Sequence, residues 1–259
     1  MMKETPKKTI ASVEKAVEVL RLVARAPDGL GVTELSRALG GGVSATYHLA
    51  STLRFCGMLE QDKHTKKFRI GFGLLHLASQ AKEQNLLGTL AQPVLDELRD
   101  VLGETTSLAV LDGDEIVCVA RAESTRALKI FAEVGARTAF HFTSGGKLLM
   151  AYAPEQARAA AIDAVKFERY TPSTIVTAEA LRDELARTAA RGFGVDDGER
   201  EEGVTCVAVP VFDRYGDATA ALSASGPTAR MREQGAEKIA AVLRARADEL
   251  SAELGYRAQ

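Results

Sequence analysis

Residues Gly31 to Ile70 read GVTELSRALGGGVSATYHLASTLRFCGMLEQDKHTKKFRI, and this stretch decides the fold. Thr33 is placed to cap a short helix carrying Leu35, Ala38 and Leu39, and Gly40-Gly41-Gly42 then allows a tight turn in which a positive φ costs little. A further helix is expected from about Ser44 to Phe55. If Thr46, Leu49, Ala50 and Leu53 face inward, the helical period leaves Ser44, Tyr47, His48, Ser51 and Arg54 on the outer side. Two short strands, Met58 to Gln61 and Lys67 to Ile70, flank the turn Asp62-Lys63-His64-Thr65-Lys66. Upstream, Ser12 is the N-cap candidate for a supporting helix with Val13, Ala16, Val17, Leu20 and Val23 at helical spacing, which Ala26-Pro27-Asp28-Gly29 stops. Helix, helix, turn, helix and basic hairpin in this order predict a winged helix-turn-helix.

The outer face of the third helix suits a DNA major groove, where Ser44, Tyr47 and His48 would read bases. In the hairpin, Lys63, Lys66, Lys67 and Arg69 would contact phosphates, adding affinity and salt dependence without reading sequence. A basic hairpin by itself is more often a solvated one. Directly after a helix-turn-helix, the phosphate-binding reading takes precedence. Charge is distributed accordingly. The first 80 residues hold 12 Lys and Arg against 7 Asp and Glu, the remainder 21 against 28, so a basic head precedes an acidic body in a chain of net charge −2.

At 259 residues and 46% hydrophobic content, the chain can bury a sizeable core and has room for about two domains. No apolar run is long enough to span a bilayer, and Met1 to Ile10 has no apolar signal region, so a cytoplasmic location is expected. Cys56, Cys118 and Cys206 are odd in number and dispersed, which fits a reducing compartment rather than a disulfide framework or a zinc site. The histidines, His48, His64, His76 and His141, show no metal-ligand spacing, and no cofactor is expected.

After the hairpin, Leu74, Leu75, Leu77 and Ala78 imply a connecting helix, and Gly88 to Leu102 a longer one with Leu90, Val94, Leu95, Leu98 and Val101 as its stripe. Thr105 to Leu111 and Glu115 to Ala122 form a hairpin signal across Asp112-Gly113-Asp114, and Leu128 to Val134 reads as a third strand. Helices are expected from Lys147 to Ala153, Ala178 to Arg191 and Met231 to Leu254, with a second hairpin from Val204 to Phe212 and Ala218 to Ser225. The whole is α+β, with a mixed or antiparallel sheet flanked by helices.

Several residues of this second part can bind a small molecule. Ser144-Gly145-Gly146-Lys147 opens a helix, whose free N–H groups favour an anion, although the Walker spacing is absent and glycines there can serve close packing alone. Ser223 and Ser225 share one strand face, and Cys206 shares one with Val204 and Ala208. An enzyme finds little support, since no Gly-x-Ser-x-Gly, His-Glu-x-x-His or Gly-x-Gly-x-x-Gly occurs. The run Asp196, Asp197, Glu199, Glu201 and Glu202 reads as a solvated acidic loop. A redox sensor built on Cys206 would need a depressed thiol pKa and solvent access, against its valine neighbours.

Ser12-Val13-Glu14-Lys15-Ala16, the winged helix, Thr143 to Lys147, Gly203 to Asp213 and Ser223 to Pro227 together resemble the IclR family of bacterial transcription regulators. The resemblance implies a DNA-binding domain at 9–71, a linker helix at 72–84 and a GAF-like effector-binding and oligomerisation domain at 85–257. It implies a homodimer or homotetramer on palindromic double-stranded operator DNA. It also places Ser144, Gly145, Asp196, Val204, Cys206, Ser223 and Ser225 around a small organic acid, aliphatic or aromatic, with Ala127 and Ile130 as apolar wall. His48 stands where many relatives carry arginine, so a fixed cation is missing from that position of the recognition helix.

Overall fold

A computed structural model describes residues 9–84, 86–130 and 133–257. These form two compact units, divided between residues 84 and 85. The first holds α1 (Ala11–Ala24), α2 (Val32–Ala38), α3 (Val43–Phe55), β1 (Leu59–Gln61), β2 (Phe68–Ile70) and α4 (Phe72–Gln84). Val19, Val23, Leu35, Ala50, Leu59 and Phe68 make its small core, at roughly 1.5–3 kcal/mol for each large side chain fully withdrawn from water.

The winged helix-turn-helix follows the expected order, with local differences. α1 begins after Ile10, not at a Ser12 cap, and turns Val19 and Val23 inward while Val13 and Val17 stay exposed. α2 begins after Gly31, whose N–H donates to Glu34 Oε2 at 2.7 Å, so Thr33 lies inside the helix and does not cap it. Of the three turn glycines, Gly40 alone has a positive φ, +61°. The wing is wider than a hairpin: β1 and β2 pair antiparallel, and Leu30 adds a bridge through both N–H to O bonds with Phe68 (3.1 and 2.8 Å).

The second unit contains α5 (Leu86–Leu102), β3 (Thr105–Asp112), β4 (Glu115–Ala122), β5 (Arg137–Ala139), α6 (Ser144–Tyr152), α7 (Glu155–Ala164), α8 (Ala178–Arg191), β6 (Gly194–Asp197), β7 (Val204–Phe212), β8 (Ala218–Pro227), α9 (Thr228–Gln234) and α10 (Ala236–Glu253). Its sheet runs β5-β4-β3-β8-β7-β6, every neighbour antiparallel. Alternation sorts the strands into two faces. Leu108, Val207, Val209, Leu222 and Ala224 pack with Leu95, Leu98, Leu243 and Leu250 under α5 and α10. Ile116, Ala208 and Ala221 pack with Leu148 and Leu149 of α6 on the other face, and α8 lies against α6.

The expected third strand, Leu128 to Val134, is not one. Residues 128–130, 133 and 134 are loop, Phe131 and Ala132 lie outside the described residues, and the edge strand is Arg137–Ala139 on Glu115–Val117. Val101 is exposed, and Leu102 takes its place in the stripe of α5. The last helix is two, broken at Gly235 with φ +83°. α7 and β6 have no counterpart in the sequence reading.

Candidate functional site

In the first unit, Thr46 and Ala50 of α3 point inward and Leu49 and Leu53 are half-buried. This leaves Ser44, Tyr47, His48 and Arg54 exposed, with Ser51 at the margin. Arg54 does not stand alone: its Nη1 donates to Gln61 Oε1 at 3.2 Å, and Gln61 Nε2 donates to the Lys66 carbonyl at 2.9 Å, tying the end of α3 to the wing.

Asp62 organises the wing turn, accepting from the N–H and hydroxyl of Thr65 (2.7 and 3.0 Å) and the N–H of His64 (2.9 Å), and these donors hold its carboxyl below the usual value. Lys66 adopts φ +59°, a conformation that the turn bonds hold for a non-glycine residue. Lys63, Lys66 and Arg69 are exposed and Lys67 is half-buried. Tyr47, Gln61, Lys66 and Lys67 line one recess of about 610 Å³ with the start of α2.

In the second unit, ladder register assembles the remaining candidates. Asp196, Cys206 and Ser225 are direct neighbours across β6, β7 and β8, and Thr105 of β3 continues that row. The adjacent row runs Gly194, Ala208, Ser223 and Ser107. Ser223 and Ser107 Oγ atoms are 2.9 Å apart. α6 seats beside these rows by close approach. A Cβ on Gly194 would lie 2.1 Å from the Ser144 carbonyl oxygen, and one on Gly145 would lie 2.9 Å from Ile116 Cδ1. Gly194, which meets backbone, therefore requires glycine, whereas at Gly145 the Ile116 methyl has to give way to admit a side chain. Thr143 caps α6, its Oγ1 accepting from Gly146 N at 3.1 Å.

The structure thus gathers Ser144, Gly145, Asp196, Cys206, Ser223 and Ser225. Ile130 joins them at the edge, where its carbonyl accepts from Thr105 Oγ1 at 3.1 Å. Val204 sits one strand repeat beyond Cys206, paired with Pro227, and Ala127 is exposed in the loop after β4. That loop is fastened to the sheet: Arg230 Nη2 donates to the Leu128 carbonyl at 2.9 Å while gripping the fully buried Glu104, and Ser124 Oγ donates to Gly103 O at 2.8 Å.

The charges differ from the expectation. Asp196 and Glu199 are buried, not solvated; Asp197, Glu201 and Glu202 are exposed. Lys147, 1% exposed, carries its ammonium inward to Glu199 and, at 3.7 Å, to Glu184 Oε1, so it is not a cation displayed at the helix start. Burial raises the Asp196 carboxyl to about 6 against the N–H bond from Glu199 at 2.8 Å, and raises Glu199 to about 7 against the pull of Lys147. Burial also works to raise Glu184, but Lys147, Arg191 and Arg187 together hold it below its usual value. The Cys206 thiol, half-buried and bonded to Ser225, is pushed up to about 12 by burial and the nearby Asp196. It carries little thiolate at neutral pH, which disfavours a cysteine-based sensor.

Thr105, Ser107 and Glu199 are absent from the sequence-based site. Thr105 and Ser107 were legible in principle, because they alternate with Thr106 and Leu108 along β3. Among the described residues no cluster of His, Cys, Asp and Glu could hold a metal ion, and no helix is long and apolar enough to cross a membrane.

Comparison with known proteins agrees with this two-part construction. Residues 12–63 match the IclR helix-turn-helix domain, and residues 79–252 match the bacterial transcriptional regulator IclR C-terminal domain. The chain is 32% identical over 248 residues to the HTH-type transcriptional regulator KdgR of Escherichia coli, covering 96% of this chain and 94% of that protein. It is 33% identical over 224 residues to BhcR of Paracoccus denitrificans, covering 86% and 80%. Thermotoga maritima IclR superposes with TM-score 0.78 at 29% identity, covering 96% of this chain and all of that one. An IclR homologue from Microbacterium hydrocarbonoxydans, solved with 4-hydroxybenzoate, superposes with TM-score 0.81 at 26% identity, covering 94% and 98%. The chain belongs to the IclR family of bacterial transcriptional regulators.

Proposed function

We propose that this protein is an effector-responsive regulator whose winged helix binds operator DNA and whose second unit binds a small organic acid. The observation that carries the effector half is the meeting of Ser223, Ser225, Cys206 and Asp196 on one sheet face beside the N-terminus of α6. Neutral hydroxyls and first-turn N–H groups suit a carboxylate, and an acid guest is consistent with the 4-hydroxybenzoate held by the Microbacterium relative. Aromatic acids are therefore the first to test.

On the DNA side, Ser44, Tyr47, His48 and Ser51 face the bases. Arg54, Lys63, Lys66, Lys67 and Arg69 meet the backbone, Arg54 from a position already fixed to the wing. The protein acts as a homodimer or homotetramer in the cytoplasm on a palindromic site, an assembly consistent with the exposed apolar residues Val13 and Val17 on α1. The acid binds one arrangement of the oligomer better than another and so shifts the spacing of paired recognition helices.

The test is a fluorescence-anisotropy titration on DNA upstream of the gene and on random DNA, with and without aliphatic and aromatic carboxylates. Preference for the upstream fragment that one acid alters is the expected result. Equal affinity for both DNAs, or indifference to every acid, contradicts the corresponding half.

A further inference from the structure

Arg121, next to the last residue of β4, lies directly opposite Ser107, the residue whose Oγ meets Ser223 at 2.9 Å. Its neighbours Ala120 and Ala122 belong to the core beneath α5 and α10, so strand alternation puts Arg121 on the same face as Ser107, Ser223 and Ser225. The arginine side chain is 8% exposed, and a guanidinium withdrawn that far from water requires an acid partner. Glu123, two residues along the chain, is one such partner.

The other cations around this face are committed differently. Lys147 is locked between Glu199 and Glu184, Arg230 grips the fully buried Glu104, and Arg200 donates to the Thr138 hydroxyl at 3.1 Å. Parting Glu199 from Lys147 would strand a buried charge, and Glu104 and Glu184, although Arg126 and Arg191 also reach them, are too far withdrawn from water to give up a cation cheaply. Glu123 is different: its side chain is 40% exposed and already shares Lys129, at 2.8 Å, so it keeps a counter-ion if Arg121 lets go. Elsewhere the face offers uncharged donors, the hydroxyls and the first-turn N–H groups of α6, and the carboxyl of Asp196, which repels an anion once ionised.

We propose that Arg121, with Ser107 beside it, is the carboxylate anchor of the effector pocket, and that the bound acid takes the place of Glu123 on the guanidinium. The planar fork of arginine matches a carboxylate with two parallel N–H to O bonds, which sets the orientation of the acid as well as holding it. The residue is thereby the one that separates acids from neutral molecules of the same shape. This rests on the reading of the sheet face as an acid-binding pocket.

Isothermal titration calorimetry on the full chain tests it, with benzoate and 4-hydroxybenzoate against benzamide and 4-hydroxybenzamide at a pH of about 8. Arg121→Gln is expected to weaken acid binding about ten- to a hundredfold and leave amide binding within about twofold. Glu123→Gln, whose amide oxygen can still accept from the guanidinium, is expected to lower stability modestly and to tighten acid binding roughly three- to tenfold by removing the competing carboxylate. If Arg121→Gln shows no cooperative melt, Glu123→Gln decides. Equal loss of acids and amides in Arg121→Gln, or no gain for acids in Glu123→Gln, overturns the anchor. The pocket itself survives that outcome if the wild type binds acid and Ser225→Ala weakens acid and amide alike. A wild type that binds none of these acids overturns the pocket and the anchor together.

Discussion

Lys66 on the wing and Lys147 in α6 carry the same ammonium in opposite surroundings. Lys66 is exposed at a turn, whereas Lys147 is 1% exposed and held by Glu199 and Glu184. The first can exchange hydration for a phosphate at little cost to the fold. The second has no partner to gain and everything buried around it to lose. The first unit thus displays its charge, while the second uses charge to fix the geometry of a neutral hydroxyl face.

The sharpest way to break this contrast is Lys147→Met. Leaving Glu199 and Glu184 buried without their shared cation is expected to cost about 3–5 kcal/mol, read from urea unfolding of the full chain. A loss below about 1 kcal/mol would place Lys147 with the surface lysines. Next in size is Tyr47→Ala, expected to reduce discrimination between operator and random DNA by about 1–3 kcal/mol while leaving stability nearly unchanged. Equal losses on both DNAs would move Tyr47 from base reading to the backbone.

The buried carboxyls sharpen the comparison through pH. Asp196 and Glu199 bind protons more tightly folded, at about 6 and about 7, than at their ordinary 3.8 and 4.5. Stability from these groups is therefore fully present below about 4 and lost as pH rises through about 6 and about 7. Asp196→Asn should flatten the lower part of that fall, followed as urea midpoints across the same range, and an unchanged slope would mean that Asp196 is solvated. The smallest expected effect is that of Lys66→Ala. It should weaken specific and random DNA binding alike, reduce the salt slope by about 1 and change stability by less than about 0.5 kcal/mol.

The two units also differ in how much of them the sequence discloses. The exposed face of α3 follows from local periodicity, because the turn before it and the hairpin after it are nearby in the chain. Its neighbour α1 was misaligned, since Val13 and Val17 match the helical spacing as well as Val19 does and only packing chooses between them. The Leu30 bridge to Phe68 depends on a pairing made across 38 residues and leaves no local mark.

In the second unit the hydroxyl face of β8 was legible from alternation. The run Asp196 to Glu202 was not, because acidic composition reads as solvated and the cation that buries Glu199 lies 52 residues earlier. Residues 128–134 failed for a related reason. An apolar run resembles a strand, but which segment pairs with Glu115–Val117 is set by register and not by composition. Nothing local marks Arg121 either, because only the pairing of β3 with β4 sets Ser107 opposite it.

The proposed regulator couples acid binding on the second unit to operator binding on the first. The most direct measurement is reciprocal: the operator Kd with and without saturating acid, and the acid Kd with and without saturating operator, on the full chain. Linkage requires the two ratios to be equal and different from one. An acid that binds with the same Kd whether or not operator is present would contradict it.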